Sequence, residues 1–170
     1  MKVHEVMTED VKSCRPDTNL AAAAALMWEN DCGVLPVVAE GEKAIGVITD
    51  RDIAIALGTR NKQAAEIPVS EVMSGNLFAA SPDEDIHAAL KLMRKERVHR
   101  LPVIDSQGKL EGVLSLNDVA LYAMHPNGKT TPALNYEDVV STLKAVCEHR
   151  HQIVKKHHRT ANASTGRTES

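Results

Sequence analysis

Aromatic residues and long apolar runs are scarce in this sequence, and it carries no excess of positive charge. One Phe, two Tyr and one Trp among 170 residues are too few to build an aromatic platform for single-stranded nucleic acid. The net charge of −3 gives no general attraction to phosphate backbones. No apolar run approaches membrane-spanning length, and the N-terminus MKVHEVMTED has no hydrophobic signal core. We therefore expect a cytoplasmic protein without nucleic-acid or membrane partners.

Cysteine is also rare, and its spacing matches no metal or redox motif. Cys14, Cys32 and Cys147 are an odd number without a CxxC pair, which favours reduced thiols. A Cys14–Cys32 bridge is the alternative. The chain has no nucleophile–base motif, Gly-rich phosphate loop or paired-acid spacing. We therefore expect that it is not an enzyme and that it uses no catalytic cofactor.

Most of the chain is a duplicated unit. Residues 3–54 align without a gap with residues 69–120, at an offset of 66. Turn and apolar positions recur in register, among them Pro16 with Pro82, Leu35-Pro36-Val37 with Leu101-Pro102-Val103, and Gly46-Val47 with Gly112-Val113. Chance does not align that many such positions, so we interpret the pattern as an internal repeat.

Each unit predicts a short strand, a helix, two strands and a second helix. In the first unit, Pro16-Asp17-Thr18 precedes an Ala/Leu/Met-rich run, which indicates a helix capped by Asp or Thr and closed near Gly33. VLPVV and AIGVIT read as strands joined by the hairpin EGEK. A unit of roughly 60 residues is too small for its own core, so we expect the two units to pack together as one α/β (α+β) module.

The repeated blocks carry a family resemblance. VMTEDV, LPVV and GVITDRDIA, followed by VMSGNL, HRLPVID and GVLSLNDVA, resemble the two halves of a cystathionine-β-synthase (CBS) domain pair, or Bateman module. The second repeat is similar to a nucleotide-binding repeat in the γ subunit of AMP-activated protein kinase, and the short arrangement is similar to small stand-alone bacterial CBS proteins. The resemblance implies two β-α-β-β-α CBS repeats (residues 1–62 and 63–125) packed sheet to sheet with pseudo-two-fold symmetry.

The repeated Thr/Ser-x-x-Asp motif has two interpretations. In a capping box at a helix start, the hydroxyl accepts an amide and the acid reaches back to the backbone. In a nucleotide site, the carboxylate accepts both hydroxyl protons of a ribose, and a helix N-terminus suits phosphate. The CBS resemblance implies the second use, with the base in a cleft between the repeats. The two roles are compatible.

The resemblance implies two clefts, each with its Asp from one repeat and much of its wall from the other. Around Asp118 we expect Ser115, Asn117, His99 and Arg100, with Val11 and Cys32 from the first repeat. Around Asp52 we expect Thr49 and Arg51, with Leu77 and Val98 as walls and some help from His99. Because His99 and Arg100 would supply phosphate donors, we rank the Asp118 cleft first. A solvated helix end is the other interpretation of these two residues.

The C-terminal third predicts one further amphipathic helix. A turn-rich linker (126–134) leads to Asn135, a candidate cap for a helix over 135–158. Its apolar stripe includes Val139, Leu143 and Val146 and needs a partner, either the module or a second chain. Cys147 and the histidines at 149, 151, 157 and 158 fall at no established zinc spacing, so we predict no metal. The polar residues 159–170 predict a disordered tail.

Two functions from different classes follow from these features. The first is a regulatory homodimer that binds AMP, ADP or ATP in its clefts and signals to an unidentified protein through a change of shape or assembly. The second is a structural or interaction protein whose clefts bind no nucleotide and whose C-terminal helix makes the contacts.

Overall fold

The computed structural model describes residues 1–124 and 133–148. Within these ranges the strands are β1 (Val34–Val38), β2 (Ala44–Thr49), β3 (Arg100–Ile104) and β4 (Leu110–Ser115). The α-helices are α1 (Leu20–Glu29), α2 (Asp50–Arg60), α3 (Ile86–Glu96), α4 (Leu116–Tyr122) and α5 (Tyr136–Cys147). Short 3-10 turns occupy Val3–Glu5, Glu40–Glu42, Ala64–Glu66 and Val69–Glu71.

The two repeats have the same sheet. β1 pairs antiparallel with β2, and β3 pairs antiparallel with β4. The register is equivalent, since Val34 pairs with Thr49 and Arg100 pairs with Ser115, and both ladders shift at the fourth pair. The predicted mixed helix-and-strand fold with two repeats is confirmed.

The leading strand of each repeat is reduced to a single bridge. Cys14 pairs in parallel with Val37, and Ala80 pairs in parallel with Val103. In a parallel ladder the next donor would be two residues further along the chain. That residue is Pro16 in one repeat and Pro82 in the other, and proline has no N–H to donate.

The first helix of each repeat is capped one or two residues later than predicted. Asn19, not Asp17 or Thr18, accepts the Ala22 amide at 2.9 Å. The equivalent Asp85 accepts the His87 amide at 2.9 Å. At the other end the left-handed residue is Asp31 (φ 48°) rather than Gly33. An aspartate tolerates this conformation better than most non-glycine residues do.

The N-terminal arms of the two repeats, residues 1–8 and 67–74, are exchanged. Val3 and Val6 are buried with Ile86 and Leu90 in the core of the second repeat, while Ile67 and Val69 are buried in the core of the first. Backbone hydrogen bonds hold each arm in place. Val3 N donates to Glu84 O at 3.0 Å, and Val69 N donates to Thr18 O at 2.7 Å. Each core is therefore completed by a segment of the other repeat.

Helix α5 packs on the second repeat. Asn135 caps it by accepting the amides of Glu137 and Asp138. Thr142 is fully buried and accepts a 2.9 Å hydrogen bond from Arg94 Nη1 of α3, and Val146 is buried in the same core. The inner face of α5 therefore packs against the second repeat rather than remaining exposed.

Most of the remaining C-terminal predictions fall outside the described residues. These are the linker up to residue 132, the predicted helix from 149 to 158 with its histidines, and the tail 159–170. Within the described part α5 ends at Cys147, because the backbone of Glu148 is extended.

Candidate ligand-binding clefts between the repeats

Each Thr/Ser-x-x-Asp motif forms a capping box. Ser115 N and Ser115 Oγ donate to Asp118 Oδ2 at 2.7 and 2.6 Å. Thr49 N and Thr49 Oγ1 donate to Asp52 Oδ2 at 3.0 and 2.6 Å. The capping interpretation is therefore correct at both helix starts, and each carboxylate is held rigidly by one of its two oxygens.

The second carboxylate oxygen distinguishes the two motifs. Asp118 Oδ1 accepts a 3.0 Å hydrogen bond from the hydroxyl of Thr8. Ser74, the residue equivalent to Thr8, lies in the cleft beside Asp52 but makes no such bond within the described part of the chain. Asp52 Oδ1 is thus open to a further donor.

Each arm passes across the second strand of the other repeat's hairpin. Thr8 exchanges two 3.0 Å backbone hydrogen bonds with Val113, and Ser74 makes the same bridge with Val47. A Cβ on the preceding residue of each strand would meet the arm's carbonyl, at 2.4 Å for Gly46 and 2.6 Å for Gly112. The glycine of each Gly-Val motif therefore leaves room for the arm to cross the strand closely. These crossings bring residues of both repeats to each cleft.

The Asp118 cleft is a cavity of about 330 Å³. Most of the residues predicted for it line it, namely Val11, Cys32, Arg100, Ser115, Asn117 and Asp118. The lining also includes Thr8, Asp10, Lys12, Asn30 and Asp31 from the first repeat. This composition confirms that both repeats contribute to the cavity.

The Asp52 cleft is larger, about 480 Å³. Thr49, Arg51, Asp52 and Val98 line it as predicted, together with Ser74, Asn76, Phe78, Glu96 and Arg97. Val34, Pro36, Arg100 and Val113 line both cavities. The two clefts are therefore neighbours with a common wall.

Two predicted positions differ in the structure. His99 lines the Asp52 cleft, whereas its equivalent Gly33 lines the Asp118 cleft. His99 therefore contributes to the cleft of the other repeat's Asp, although its own carbonyl accepts the Leu116 amide at the start of α4 at 3.1 Å. Leu77 is not part of the Asp52 lining, and its neighbours Asn76 and Phe78 are.

Sequence reasoning missed the residues next to those it chose. Lys12, Asp31 and Arg97 are charged and line the clefts, yet helical periodicity alone does not place them there. The repeat itself contained a usable signal, because Asp31 and Arg97 are equivalent positions and both are left-handed residues that follow the first helix.

The three cysteines form no disulfide among the described residues. All three are free thiols, so no Cys14–Cys32 bridge is present. Burial raises the pKa of the Cys14 thiol to about 11, which keeps it protonated. Among the described residues no cluster of His, Cys, Asp or Glu could hold a metal ion, and no described helix is long and apolar enough to cross a membrane.

The fold and the clefts define an internally duplicated module with a ligand-sized cavity on each side of a shared wall. The chain belongs to the CBS domain family, whose model matches residues 3–59 and 69–125. It is 36% identical over 122 residues to the CBS domain-containing protein YhcV of Bacillus subtilis, covering 72% of this chain and 85% of that protein.

Other relatives place the same module in different settings. The chain is 33% identical over 120 residues to inosine-5'-monophosphate dehydrogenase of Mycobacterium tuberculosis, with 71% of this chain but 22% of the enzyme covered. Among solved structures it is similar to the CBS domain pair of MJ0100 in complex with 5'-methylthioadenosine and S-adenosyl-L-methionine, at 25% identity and a TM-score of 0.65. That match covers 71% of this chain and 94% of the other.

Two further structures show the range of bound species. CBSX2 in complex with AMP matches at 25% identity and a TM-score of 0.63, covering 71% of this chain and 93% of that one; CBSX2 is a protein of Arabidopsis thaliana. Hypoxic Response Protein I with two coordinated zinc ions matches at 26% identity and a TM-score of 0.67, covering 73% and 100%. Adenosine compounds thus occur in similar modules.

Proposed function

We propose that this protein is a regulatory CBS pair that binds an adenosine-containing ligand in the clefts between its repeats, and that it is not an enzyme. The observation that carries the proposal is the rigid carboxylate of Asp52, which lines a cavity of about 480 Å³ and whose Oδ2 alone is held by Thr49. Similar modules that bind AMP or 5'-methylthioadenosine support the choice of ligand.

The free oxygen of Asp52 matches the chemistry of a ribose. A carboxylate offers about four acceptor positions, and Thr49 uses two of them on Oδ2. The two positions on Oδ1 can accept both hydroxyls of a cis-diol. Asp118 has one position left on Oδ1, because Thr8 occupies the other. We therefore rank the Asp52 cleft first, which reverses the order expected from the sequence.

Positive and apolar side chains complete the site. Arg51, Arg97 and Arg100 line the Asp52 cleft and can bind a phosphate bidentately. Val34 and Val98 line the same cavity and can enclose an adenine between aliphatic surfaces. The cleft thus offers a partner for each of the three parts of an adenine nucleotide.

Titration calorimetry with AMP tests this function. Asp52→Ala removes the proposed ribose acceptor, and charge-assisted hydrogen bonds of this kind are worth about 1.5–3 kcal/mol, so affinity should fall roughly tenfold to a hundredfold. Asp50→Ala is the matched control, since Asp50 is exposed and does not line this cleft. If wild type binds no adenine compound at millimolar concentration, the motif serves as a cap alone and the interaction function takes precedence.

A homodimer is the assembly that we propose for signalling. A groove of about 550 Å³ between α1 and α2 is lined by apolar residues, including Met27, Trp28, Ile53 and Leu57. Helix α5 exposes Val140 and Leu143, with the exposed Lys144 next to them. Asp50 lines the groove and carries the charge opposite to that of Lys144. We propose that α5 of one copy lies in the α1–α2 groove of a second copy. Light scattering that shows a monomer at high micromolar concentration would contradict this.

A further inference from the structure

The two clefts of this protein carry opposite charge. Side chains around Asp118 comprise three carboxylates (Asp10, Asp31, Asp118) and two cations (Lys12, Arg100). Those around Asp52 comprise two carboxylates (Asp52, Glu96) and three guanidinium groups (Arg51, Arg97, Arg100). When Arg100, which lines both clefts, is counted in each, the first cleft has a net charge of −1 and the second has +1, with His99 taken as neutral.

The internal repeat shows that this difference lies at equivalent positions. Six pairs of residues 66 apart line the two clefts and differ in charge or basicity: Asp10 and Asn76, Lys12 and Phe78, Asn30 and Glu96, Asp31 and Arg97, Gly33 and His99, and Asn117 and Arg51. In four of these pairs the member in the Asp52 cleft is the less negative or more basic one, and in the pairs Lys12 and Phe78 and Asn30 and Glu96 the charge changes in the opposite direction. The four outweigh the two, so the Asp52 cleft remains the more positive of the two. The change of charge therefore does not come from a difference in fold.

Existing ion pairs leave the contrast in place. Lys12 lies 3.8 Å from Asp10, so the one lysine of the Asp118 cleft is offset by a neighbouring acid. Asp31 lines the same cleft and has no ion-pair partner among the described residues. In the Asp52 cleft, Arg97 lies 3.8 Å from Glu148 of the α5 end. Both groups of that pair are well exposed, with 41% and 71% of the side chain accessible, so the pair is weak and Arg97 can turn to a ligand.

We propose that the two clefts take different classes of adenosine compound: a phosphorylated one at Asp52, and one without phosphate, whose sugar substituent is cationic, at Asp118. This rests on the proposed function and refines it. A phosphate dianion is attracted by the positive cleft and repelled by the negative one, whereas a sulfonium or ammonium group has the opposite preference. The protein would then bind the two ligand classes at separate sites.

Titration calorimetry with AMP and with S-adenosylmethionine as the cationic probe tests the assignment. Asp52→Asn should weaken AMP at least tenfold and leave S-adenosylmethionine within twofold. Asp118→Asn should do the reverse. Both asparagines preserve side-chain size, and a thermal melt of each variant confirms that it is folded.

A charge reversal gives a second, independent test. Asp31→Arg should weaken S-adenosylmethionine by roughly tenfold and allow AMP to enter the Asp118 cleft as a second site. The backbone tolerates arginine there, because the equivalent Arg97 has a similar left-handed φ of 56°. Asp17→Arg is the matched control. It makes the same change of charge at an exposed site before α1, and both affinities should stay unchanged.

The outcomes separate this inference from the proposed function. Loss of AMP binding in Asp118→Asn but not in Asp52→Asn, or displacement of one probe by the other from a single cleft, would overturn the assignment while adenosine binding stands. If adenosine, AMP and S-adenosylmethionine all fail to bind the wild type, the proposed function itself is wrong.

Discussion

Trp28 of α1 and Arg94 of α3 occupy equivalent positions in the two repeats, yet their surroundings differ. Arg94 donates to the buried Thr142 of α5, whereas Trp28 is 87% exposed. The groove beside Trp28 thus lacks, within the described chain, the helix that covers its counterpart. A large aromatic side chain this exposed favours a partner surface.

Trp28→Arg tests that surface by installing the residue found at the equivalent position. If α5 of a second copy lies in this groove, the variant should weaken the dimer tenfold or more, because buried Trp side chains are often the strongest contributors to an interface. Ala22→Arg is the control, since Ala22 is exposed on α1 and does not line the groove. Sedimentation equilibrium measures both, and equal dissociation constants would contradict the docking.

Cutting the chain between residues 62 and 63 should prevent either half from folding alone. Val3 and Val6 complete the core of the second repeat, and Ile67 and Val69 complete that of the first. Each fragment would therefore expose its own arm and lack the other. Circular dichroism should show cooperative melting only after the two fragments are mixed. Two separate fragments that each melt cooperatively as monomers would contradict the exchange.

Gly46→Ala should destabilise the protein through the crossing of the arms. Its Cβ would lie 2.4 Å from the backbone oxygen of Ser74, and relieving an overpacked contact of this kind costs about 1–3 kcal/mol. Gly58→Ala in α2 is the matched control, because nothing lies within 4 Å of its Cβ. That change should stabilise the helix by about 0.5–1 kcal/mol. Urea denaturation of both variants decides the point.

The buried thiol of Cys14 should make stability fall at alkaline pH. Its pKa is raised by burial from 9.0 to about 11, so between these values the unfolded chain loses a proton that the folded chain keeps. Stability that is present below pH 9 is therefore lost as the pH rises, by about 1.4 kcal/mol per unit. Cys14→Ala should show a shallower decline in unfolding free energy between about pH 9 and pH 11. Identical slopes would exclude Cys14 as the cause.

Local rules predicted the starts of α2 and α4 and the paired strands well. Thr49 and Ser115 cap α2 and α4 because hydroxyl, amide and carboxylate lie within one turn, so their arrangement depends on neighbouring residues alone. The clefts were harder, because their walls depend on which arm crosses which strand. His99 was assigned mainly to the Asp118 cleft but lines the Asp52 cleft, and Leu77 was chosen in place of its neighbours Asn76 and Phe78.

The bond between Thr8 and Asp118 shows the same limit. These residues are 110 positions apart, and nothing in the local pattern of either motif indicates that they meet. The contact changed which cleft ranks first, although both motifs look alike in the sequence.

The exchanged arms also bear on how such a chain can arise. A single copy of the unit has one arm and one core, and its arm fits the core of another copy. Such a unit would bury its arm and complete its core only when two separate molecules exchange arms. Joining the copies end to end turns that encounter into an intramolecular one, with an effective concentration in the millimolar range for a short linker. The fused gene product then needs no threshold abundance to fold, and each half is free to diverge in charge.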